Sequence, residues 1–455
     1  MKYGEMLMGT ITRFDAKGRG VFEIARSGAP NKAISVPFTT IGDQVEARFI
    51  KHRKDLNVAE LTRVVTPGPS RMPYPSAATE RFPGGLWMHI AYDAQVRFKE
   101  EMINTALADA GHAERIAQII PSSITTHYRN RMDYAVSWDG KIGLKEFGSW
   151  AQYRDVTEDP LLSPAATHIL AAVRPFLQKI GDGEPTIHPW DNRSYEGDLR
   201  YVVVREGKNT GDRMIGLIVK DLSRISEQTR AALRAALDPY ATAIVLGENP
   251  LITDLSIAQT TVVLKGDVTF AEIVGGTSYR IHLNAFFQTN SAMAAVLQDT
   301  VANAVQAAHP ASILDLYCGL GFFGINLAQR IPSLRVAGFE IDAQAIALAT
   351  QNATLNSVAD RCAFASGPAE DLRWKDTDAD VVIIDPPRSG LHPRVLKTLL
   401  EKKPATIVYI SCNYHRLVEE LTQFKTAYQV ESLMAVDLFP HTPHVEVVSV
   451  LKRVV

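Results

Sequence analysis

The feature that most constrains this 455-residue chain is a change of sequence period near Asn284. From there to the C-terminus, four short apolar runs alternate with helical stretches: "SILDLY", "RVAGFE", "DVVIID" and "TIVYIS". Strands that are apolar on both faces are typical of a parallel sheet covered by helices. The pattern predicts a doubly wound, Rossmann-like α/β domain over 284–455. In such a domain ligands bind beyond the carboxyl ends of the strands.

The residues before this domain divide into two further segments. Residues 1–66 are short alternating runs separated by glycine turns, which predict a small β-barrel. Residues 67–283 begin with a linker rich in Pro, Gly and Ser and continue with a helix from near Asp93. Strand patterns then predominate, so we expect a mixed, mostly-β central domain. The predicted fold class is α/β with three domains.

Two local surfaces carry enough positive charge to contact RNA. Residues 1–66 contain eleven Lys or Arg against seven Asp or Glu, which fits either a solvated hairpin edge or an RNA-binding barrel. In the central domain, Arg129 and Arg131 of "HYRNR" lie on one face if the segment is extended. That face is either part of an exposed strand pair or a site for phosphate contacts.

Composition limits the class of protein. The apolar fraction of 46% and the formal charge of −2 are ordinary for a globular protein, so any nucleic-acid contact must come from a local surface. Three cysteines cannot form a disulfide framework, and no stretch is long enough to span a bilayer. We expect a cytoplasmic monomer without a membrane partner.

Polar residues follow the strands of the C-terminal domain. "SILDLY" leads into the glycine turn "CGLGFFG", and "RVAGFE" ends in Glu340, whose carboxylate can accept both hydroxyls of a ribose. Dinucleotides and S-adenosylmethionine both carry that ribose. "DVVIID" ends in Asp385, stiffened by two prolines in "DPPRSGL", and Cys412 follows "TIVYIS". Cys412 therefore lies just beyond the carboxyl end of a strand, where ligands bind in such sheets.

These motifs together resemble a known family. The runs "FFQTN", "LDLYCGLGFFG", "GFEID", "DPPRSGL", "YISCN" and "FPHTPHVE" are similar, in order and spacing, to those of the S-adenosylmethionine-dependent RNA uracil-C5 methyltransferases. Residues 1–66 resemble the TRAM barrel, an RNA-binding module of many members. The resemblance extends over nearly the whole chain and is weakest from about Gly140 to Gly275.

The resemblance implies a role for each matching residue. Cys412 would be the nucleophile that adds to carbon 6 of uracil, and Glu446 would be the base that removes the proton from carbon 5. Apart from the resemblance, Arg388 is a candidate neighbour of Cys412, because a thiolate needs an electropositive setting, and it is expected to contact the RNA together with Arg129 and Arg131. The residues that would contact S-adenosylmethionine are Gln288, Tyr317, Gly319, Glu340 and Asp385.

The sequence departs from the family at two places. Many members hold an iron–sulfur cluster with four cysteines near the first linker, but Pro83 and Leu86 occupy two of those positions and no cysteine precedes Cys318. Four thiolates are required, so no cluster and no other metal are expected. Trp87 is expected to fill the vacated volume. Phe322 stands where several relatives have a polar asparagine, so one contact to the cofactor would be missing or replaced.

The function expected from the resemblance is methylation of uridine at carbon 5 in RNA. The barrel favours 23S ribosomal RNA, because many transfer-RNA members lack it, and the uridine of the tRNA T-arm is the alternative. An RNA cytosine-C5 methyltransferase would carry its cysteine on another strand loop. A non-catalytic RNA-binding or assembly factor would need neither Cys412 nor Glu446.

Overall fold

The structure is a computed structural model, and it describes residues 1–26, 29–53, 56–116, 118–149, 151–178 and 184–454. Contacts divide the chain into two compact units. The first, which we call the N-terminal unit, contains Met1–Ala106 and the separate segment Phe439–Val445. The second, the C-terminal unit, contains Leu107–Leu438 and Glu446–Val455. The three-domain division at residues 66 and 283 stays a prediction.

The N-terminal unit is built on a six-stranded sheet. In spatial order its strands run β1, β5, β6, β4, β3, β2, and every pair is antiparallel except β4 with β6. The helix α1 (Tyr92–Asp109) follows and ends in the C-terminal unit. The strands are β1 (Met6–Thr10), β2 (Arg13–Phe14), β3 (Gly20–Arg26), β4 (Ala29–Val36), β5 (Gln44–Arg53) and β6 (Leu56–Thr66).

The core of this unit includes residues of the linker as well as the sheet. Leu86, Trp87 and Ile90 join a buried cluster with the inward-facing strand residues. Trp87 is fully buried, its ring centroid lies 4.8 Å from that of Phe14, and its Nε1 donates to Gly18 O at 2.7 Å. Trp87 is therefore a core residue of this unit; that it fills a volume vacated by a cluster stays a prediction.

The segment Phe439–Val445 is fixed within the N-terminal unit by polar contacts. His441 N donates to Gln95 Oε1 at 2.7 Å, and Trp87 N donates to His441 O at 2.9 Å. Lys99 Nζ donates to Phe439 O at 3.1 Å. His441 is therefore engaged in shaping this segment, which directly precedes Glu446 in the chain.

A buried ion pair attaches the linker to the sheet of the N-terminal unit. Asp43, whose side chain is fully buried, accepts from Arg71 Nη2 at 2.7 Å and from Gly68 N at 2.8 Å. It also accepts from Thr40 N at 2.8 Å. These bonds satisfy the carboxylate. Removal of Asp43 would therefore leave the arginine charge and two backbone N–H groups without their acceptor.

The central part of the C-terminal unit contains a seven-stranded sheet. In spatial order its strands run β10, β9, β8, β11, β12, β13, β14, and all pairs are antiparallel except β12 with β13. The helices α2 (Pro164–Leu177) and α3 (Glu227–Leu237), which the sequence did not predict, pack against each other, and α3 packs against β14. The strands are β8 (Arg131–Val136), β9 (Ile142–Lys145), β10 (Tyr153–Asp155), β11 (Leu199–Glu206), β12 (Arg213–Val219), β13 (Ala243–Glu248) and β14 (Thr260–Lys265), with β7 (Ile119–Ile120) before them in the chain.

The C-terminal part contains the predicted α/β domain, and the α/β fold class is confirmed. A hairpin, β15 (Thr269–Val274) with β16 (Thr277–His282), leads into an eight-stranded sheet in the spatial order β19, β18, β17, β20, β21, β23, β22, β7. Its other strands are β17 (Ser312–Leu316), β18 (Arg335–Glu340), β19 (Cys362–Ser366), β20 (Val381–Ile384), β21 (Thr406–Ser411), β22 (Tyr428–Val436) and β23 (Glu446–Arg453). Its helices are α4 (Ser291–Gln306), α5 (Phe322–Arg330), α6 (Ala343–Leu355), α7 (Pro393–Lys402) and α8 (Tyr414–Phe424).

The strand directions bring the candidate reactive and ligand-binding residues to one edge of this sheet. β17 to β21 are parallel, so their carboxyl ends meet at one edge, while β23 is antiparallel to β21 and starts at that edge. The four apolar runs of the sequence are β17, β18, β20 and β21. Among the described residues, no helix is long and apolar enough to cross a membrane.

We predict that Asp43→Ala lowers the local free energy of unfolding of the six-stranded sheet by about 3–5 kcal/mol, because it leaves the partly buried Arg71 without its carboxylate partner. The measurement is hydrogen exchange of the β1–β6 amides by mass spectrometry. Glu46→Ala is the matched control, since its pair with Arg63 lies on the surface, where water screens the two charges and weakens their interaction. Equal loss of protection in the two variants would contradict the role given to Asp43.

Candidate active site

The turn after β17 leaves open space in front of the sheet. Tyr317, Gly319 and Gly321 all adopt positive φ, at 65°, 53° and 79°. A side chain at Gly319 would meet no atom within 4 Å, so this part of the turn borders free volume. Helix α5 begins directly afterwards, at Phe322, and its backbone N–H groups favour a polar ligand at this end.

Glu340, at the end of β18, lies against this turn. Its Oε2 accepts from Gly319 N at 3.3 Å, and its Oε1 accepts from Asp342 N at 3.1 Å. These two backbone donors orient the carboxylate but leave further lone pairs on both oxygens. The arrangement fits the predicted acceptor of two ribose hydroxyls.

Asp315 is a second acidic residue under the turn, one residue before the end of β17. It is fully buried, and its Oδ2 accepts from Gly324 N at 3.1 Å. No donor among the described residues reaches its Oδ1. Burial, with smaller contributions from Asp385 and Glu340, raises the pKa of Asp315 to about 8. Its carboxyl is therefore protonated for a large fraction of molecules at neutral pH.

Gln288 is brought to the domain by contacts that the sequence did not reveal. Asn130 Nδ2 donates to Gln288 O at 2.8 Å, and Asn130 N donates to Thr289 O at 2.7 Å. "HYRNR" is thus joined to "FFQTN", although the two motifs are more than 150 positions apart. Gln288 itself is buried.

Phe322 is a packing residue at the start of α5. Its ring centroid lies 5.5 Å from that of Phe287 and 5.9 Å from that of Tyr279. Its carbonyl accepts from the Tyr279 hydroxyl at 2.9 Å. The apolar side chain therefore supports Phe287, the neighbour of Gln288, instead of presenting a polar group.

Cys412 and Glu446 face each other across two neighbouring strands. β21 and β23 are antiparallel, and Ser411 is paired with Val447. In the same register the next pair is Cys412 and Glu446. Residues directly opposite in such a pair have Cβ atoms about 4.5–5.5 Å apart. The register thus places the thiol beside the carboxyl.

Glu446 is buried, and its carboxyl group accepts fewer hydrogen bonds than it could. Its residue is 3% exposed, and no donor among the described residues reaches its Oε2. Burial and the neighbouring Asp385 raise the pKa of Glu446, and Arg388 opposes that rise. Burial likewise raises the pKa of Asp385. A carboxylate with a raised pKa and a vacant lone pair is suited to accept a proton from a ligand.

The Cys412 thiol lies between opposing charges. Burial raises its pKa to about 11, with Glu446 and Asp385 adding to the effect. The Arg388 guanidinium lowers the pKa of Cys412 by its charge and by a hydrogen bond, but it does not offset burial. The thiolate is the reactive form, so the groups around Cys412 control its reactivity.

The loop that carries Arg388 is fixed by residues that the sequence analysis missed. Asn413 Nδ2 donates to Arg388 O at 2.9 Å, and Glu420 Oε1 accepts from Leu391 N at 2.8 Å. Glu420 Oε2 also accepts from the Tyr409 hydroxyl, on β21. Gly390 has a φ of 83°, and a side chain there would lie 2.3 Å from Glu420 Oε1. Glu420 lies on α8, four residues before the helix ends, among the buried residues of that helix. An acidic residue on the apolar face of α8 is the sequence feature that could have indicated this role.

The predicted RNA contacts in the central domain are partly engaged within the protein. Arg131 Nε donates to Asp133 Oδ1 at 2.9 Å, so its charge is paired. Arg129 Nη1 lies 3.5 Å from Met132 Sδ, and no acceptor among the described residues reaches its buried Nε. Arg388 is exposed. The assignment of all three to RNA stays a prediction.

The other two cysteines and the histidines do not form a metal centre. Cys318 is buried, whereas Cys362 is half-buried because it lies on β19, the edge strand of its sheet. Among the described residues no group of three His, Cys, Asp or Glu is arranged to hold a metal ion. Leu86, at one of the positions where a cluster ligand is expected, lies in the apolar core of the N-terminal unit and cannot bind iron. The side chains in this part of the chain therefore do not fit an iron–sulfur cluster.

Comparisons with known proteins agree with the motifs. A family model described as tRNA (Uracil-5-)-methyltransferase matches residues 257–454. A tRNA (uracil(54)-C(5))-methyltransferase of Pyrococcus furiosus is 34% identical over 99% of this chain and 100% of its own length. A 23S rRNA (uracil(747)-C(5))-methyltransferase of Pyrococcus horikoshii is 31% identical over 98% of this chain and 99% of its own.

A solved structure extends the likeness to the fold. The crystal structure of the Pyrococcus abyssi tRNA (uracil-54, C5)-methyltransferase in complex with S-adenosyl-L-homocysteine aligns with a TM-score of 0.78 at 30% identity. The alignment covers 98% of this chain and 100% of that one.

We predict opposite effects on Cys412 from its two charged neighbours. Arg388→Gln removes a cation, so the pKa of Cys412 rises further and its alkylation by iodoacetamide near pH 9 slows several-fold, since one pKa unit is about a tenfold change in thiolate. Glu446→Gln removes a carboxylate, so the pKa falls and alkylation accelerates. The rates are measured for each cysteine by peptide mass spectrometry. Cys362, whose pKa is also about 11 but which has neither neighbour, should not change.

If the alkylation rate of Cys362 changes in the same way as that of Cys412 in both variants, the substitutions have changed the exposure of the cysteines in general and not the pKa of Cys412. Equal rates for Cys412 in all three proteins would show that Arg388 and Glu446 do not set its pKa.

Proposed function

This chain belongs to the family of RNA uracil-C5 methyltransferases, and we propose that it methylates carbon 5 of the T-arm uridine of tRNA through a covalent bond from Cys412. The enzyme class and the methyl donor, S-adenosylmethionine, follow from the family. The RNA and the roles of individual residues are our proposal. The observation that carries it is the register of β21 and β23: Ser411 is paired with Val447, so Cys412 and Glu446 occupy the next position of the same register.

The open turn after β17 supports a binding site for S-adenosylmethionine. Glu340 would accept the ribose hydroxyls, Gly319 leaves room for the close approach of the ligand, and Tyr317, Gln288 and Asp385 would complete the site. When bound, S-adenosylmethionine supplies the methyl group.

The first task of the protein is to make carbon 5 of uracil nucleophilic. The Cys412 thiolate adds to carbon 6, forming a sulfur–carbon bond, and the electrons of the carbon 5–carbon 6 double bond move toward the carbonyl oxygen at carbon 4. The resulting enolate is nucleophilic at carbon 5, which takes up the methyl group. This covalent step divides a difficult reaction into two easier ones.

The second task is to release the product. Glu446 removes the proton from carbon 5, the double bond reforms, and the thiolate of Cys412 leaves carbon 6. The buried setting raises the pKa of Glu446 and so strengthens it as a base, which suits the removal of a proton from carbon. The Oε2 atom without a donor is the one that is available to take it.

The choice of tRNA rests on relatives that match over their full length. The Pyrococcus furiosus protein named for uracil 54 of tRNA matches 99% of this chain, including the residues of the N-terminal sheet. The N-terminal sheet is thus matched in a relative named for tRNA as well as in one named for 23S rRNA, so its presence does not by itself favour the ribosomal RNA expected from the sequence. We propose that the sheet of residues 1–66 acts as a TRAM-like RNA-binding platform, together with Arg129, Arg131 and Arg388.

Ribosomal RNA is the second candidate. The Pyrococcus horikoshii protein named for uracil 747 of 23S rRNA is 31% identical and also matches along nearly the whole chain. The two substrates share a uridine in an unpaired or loop region that must be extruded before it can react.

We predict that the purified protein methylates a full-length tRNA transcript at its T-arm uridine and leaves a 23S rRNA fragment unmodified. The product is identified by digestion of the RNA to nucleosides and mass spectrometry, with a tRNA transcript that carries cytidine at the target position as the control. Methylation of the 23S fragment alone would make ribosomal RNA the substrate. 5-Methylcytidine as the product would overturn the assignment to uracil.

We predict that Glu446→Gln accumulates a covalent protein–RNA adduct that survives denaturing gel electrophoresis, because addition and methyl uptake proceed but the carbon 5 proton is not removed. The adduct should require S-adenosylmethionine and should be absent in Cys412→Ala. Glu419→Gln, at an exposed residue paired with Arg416 on α8, and Cys362→Ala are the matched controls and should turn over normally. Normal turnover of Glu446→Gln, or an adduct with Cys412→Ala, would show that these roles are wrong.

A further inference from the structure

A cavity of about 240 Å³ opens on the seven-stranded sheet of the C-terminal unit. Its floor is formed by two cross-strand pairs, Tyr201 with Ala135 on β11 and β8, and Tyr153 with Lys145 on β10 and β9. Its walls come from the loops that hold Tyr195 and Asp254. Pockets for drug-sized ligands measure about 300–1,000 Å³, so this cavity suits a single planar ring system.

Aromatic side chains dominate the lining. Tyr153, Trp190, Tyr195 and Tyr201 all border the cavity, and Tyr195 is 46% exposed. Tyr153, Tyr195 and Tyr201 provide faces on which a base can stack, while the buried ring of Trp190 packs against Arg200 and Lys220. Each stacked base contributes roughly 1–3 kcal/mol in proteins that bind single-stranded nucleic acid.

Positive charge is retained at the back of the cavity. Arg200 is 2% exposed, and its guanidinium lies 4.7 Å from the centroid of the Trp190 ring. Its Nη1 donates to the backbone carbonyls of Asn249 and Leu251, at 2.6 and 2.8 Å, and not to a carboxylate. A buried cation that is satisfied by carbonyl groups keeps its charge, which attracts an anionic ligand such as a nucleotide.

Among the described residues of the lining, Asp254 is the one acidic group, and it is already engaged. Asp254 accepts from the Tyr201 hydroxyl at 2.6 Å and from Lys145 Nζ. With Lys145 and Arg200 as cations, the lining carries a surplus of one positive charge. Burial raises the pKa of Tyr153 to about 12, so this phenol adds no negative charge.

The cavity is connected to the active site by one strand. β8 starts next to Asn130, which binds the backbone of Gln288 and Thr289, and its last residues, Ala135 and Val136, line the cavity. Six residues of strand span roughly 20 Å. An RNA strand of a few nucleotides can cover that distance.

We propose that this cavity binds a second, unstacked base of the substrate RNA, separate from the target uridine and several nucleotides away from it. The inference rests on the proposed function only in that the ligand is RNA. The aromatic faces would hold the base, and Arg200 and Lys145 would attract its phosphate. The site would thereby help to select RNA in which two nucleotides are unpaired.

The test is equilibrium binding of a labelled single-stranded RNA of mixed sequence, about twelve nucleotides long, and of the same backbone without bases. It uses the full chain with Cys412→Ala and no S-adenosylmethionine, so failure of the methylation experiments does not affect it. We expect Tyr195→Leu and Tyr153→Leu to weaken binding of the RNA about tenfold each, and to leave binding of the abasic strand unchanged.

The controls separate stacking from folding. Tyr195→Phe and Tyr153→Phe keep the ring and should bind RNA like the parent protein. Val263→Ala changes a residue of similar exposure, 43%, on β14 at the other edge of the same sheet and should also have no effect.

Three results would overturn the proposal. The first is unchanged RNA affinity in both leucine variants, and the second is an equal loss for RNA and for the abasic strand. The third is micromolar binding of uridine or adenosine 5′-monophosphate that the leucine variants abolish while RNA affinity stays constant, which would make the cavity a site for a free nucleotide.

Discussion

The antiparallel pairing of β21 with β23 is the interaction on which the candidate active site depends. With Ser411 opposite Val447, the thiol of Cys412 and the carboxyl of Glu446 emerge side by side at the edge where the parallel strands end. Successive residues of a strand point to opposite faces, so a slip of one residue would turn Glu446 away from Cys412. The full pairing of β23 on both sides, with β21 and with β22, fixes that register.

The edge of the sheet that holds the candidate active site contains several acidic groups, and their burial disfavours the charged form of each. Asp315 and Glu446 are almost completely buried, and burial raises the pKa of each of them and of Asp385. Such a cluster destabilises the fold when it is ionised, and Arg388 is the cation that opposes it at Cys412 and Glu446. The same burial makes Glu446 a stronger base, so the instability is linked to the reactivity that we propose.

A polar network around the site keeps the reactive loops in place. Glu420 binds both the strand residue Tyr409 and the backbone of Leu391, and Asn413 holds the carbonyl of Arg388. In the N-terminal unit, Gln95, Trp87 and Lys99 bind the segment that leads into Glu446. Hydrogen bonds thus hold the Arg388 loop in the C-terminal unit and the segment 439–445 in the N-terminal unit.

The sequence by itself determined the local features: the apolar strands, the glycine turn, and the polar residue at each strand end, since apolar period, turn chemistry and helix starts depend on near neighbours in the chain. It could not determine which of these residues meet. The contact of Asn130 with Gln288, the support of the Arg388 loop by Glu420, and the aromatic cavity on the central sheet all join distant segments. The helices α2 and α3 were also missed, because their short apolar stretches lie among strands. Only the tertiary structure decided the pKa of Cys412 and of Glu446, because burial and the placement of neighbouring charges arise from packing and not from sequence spacing.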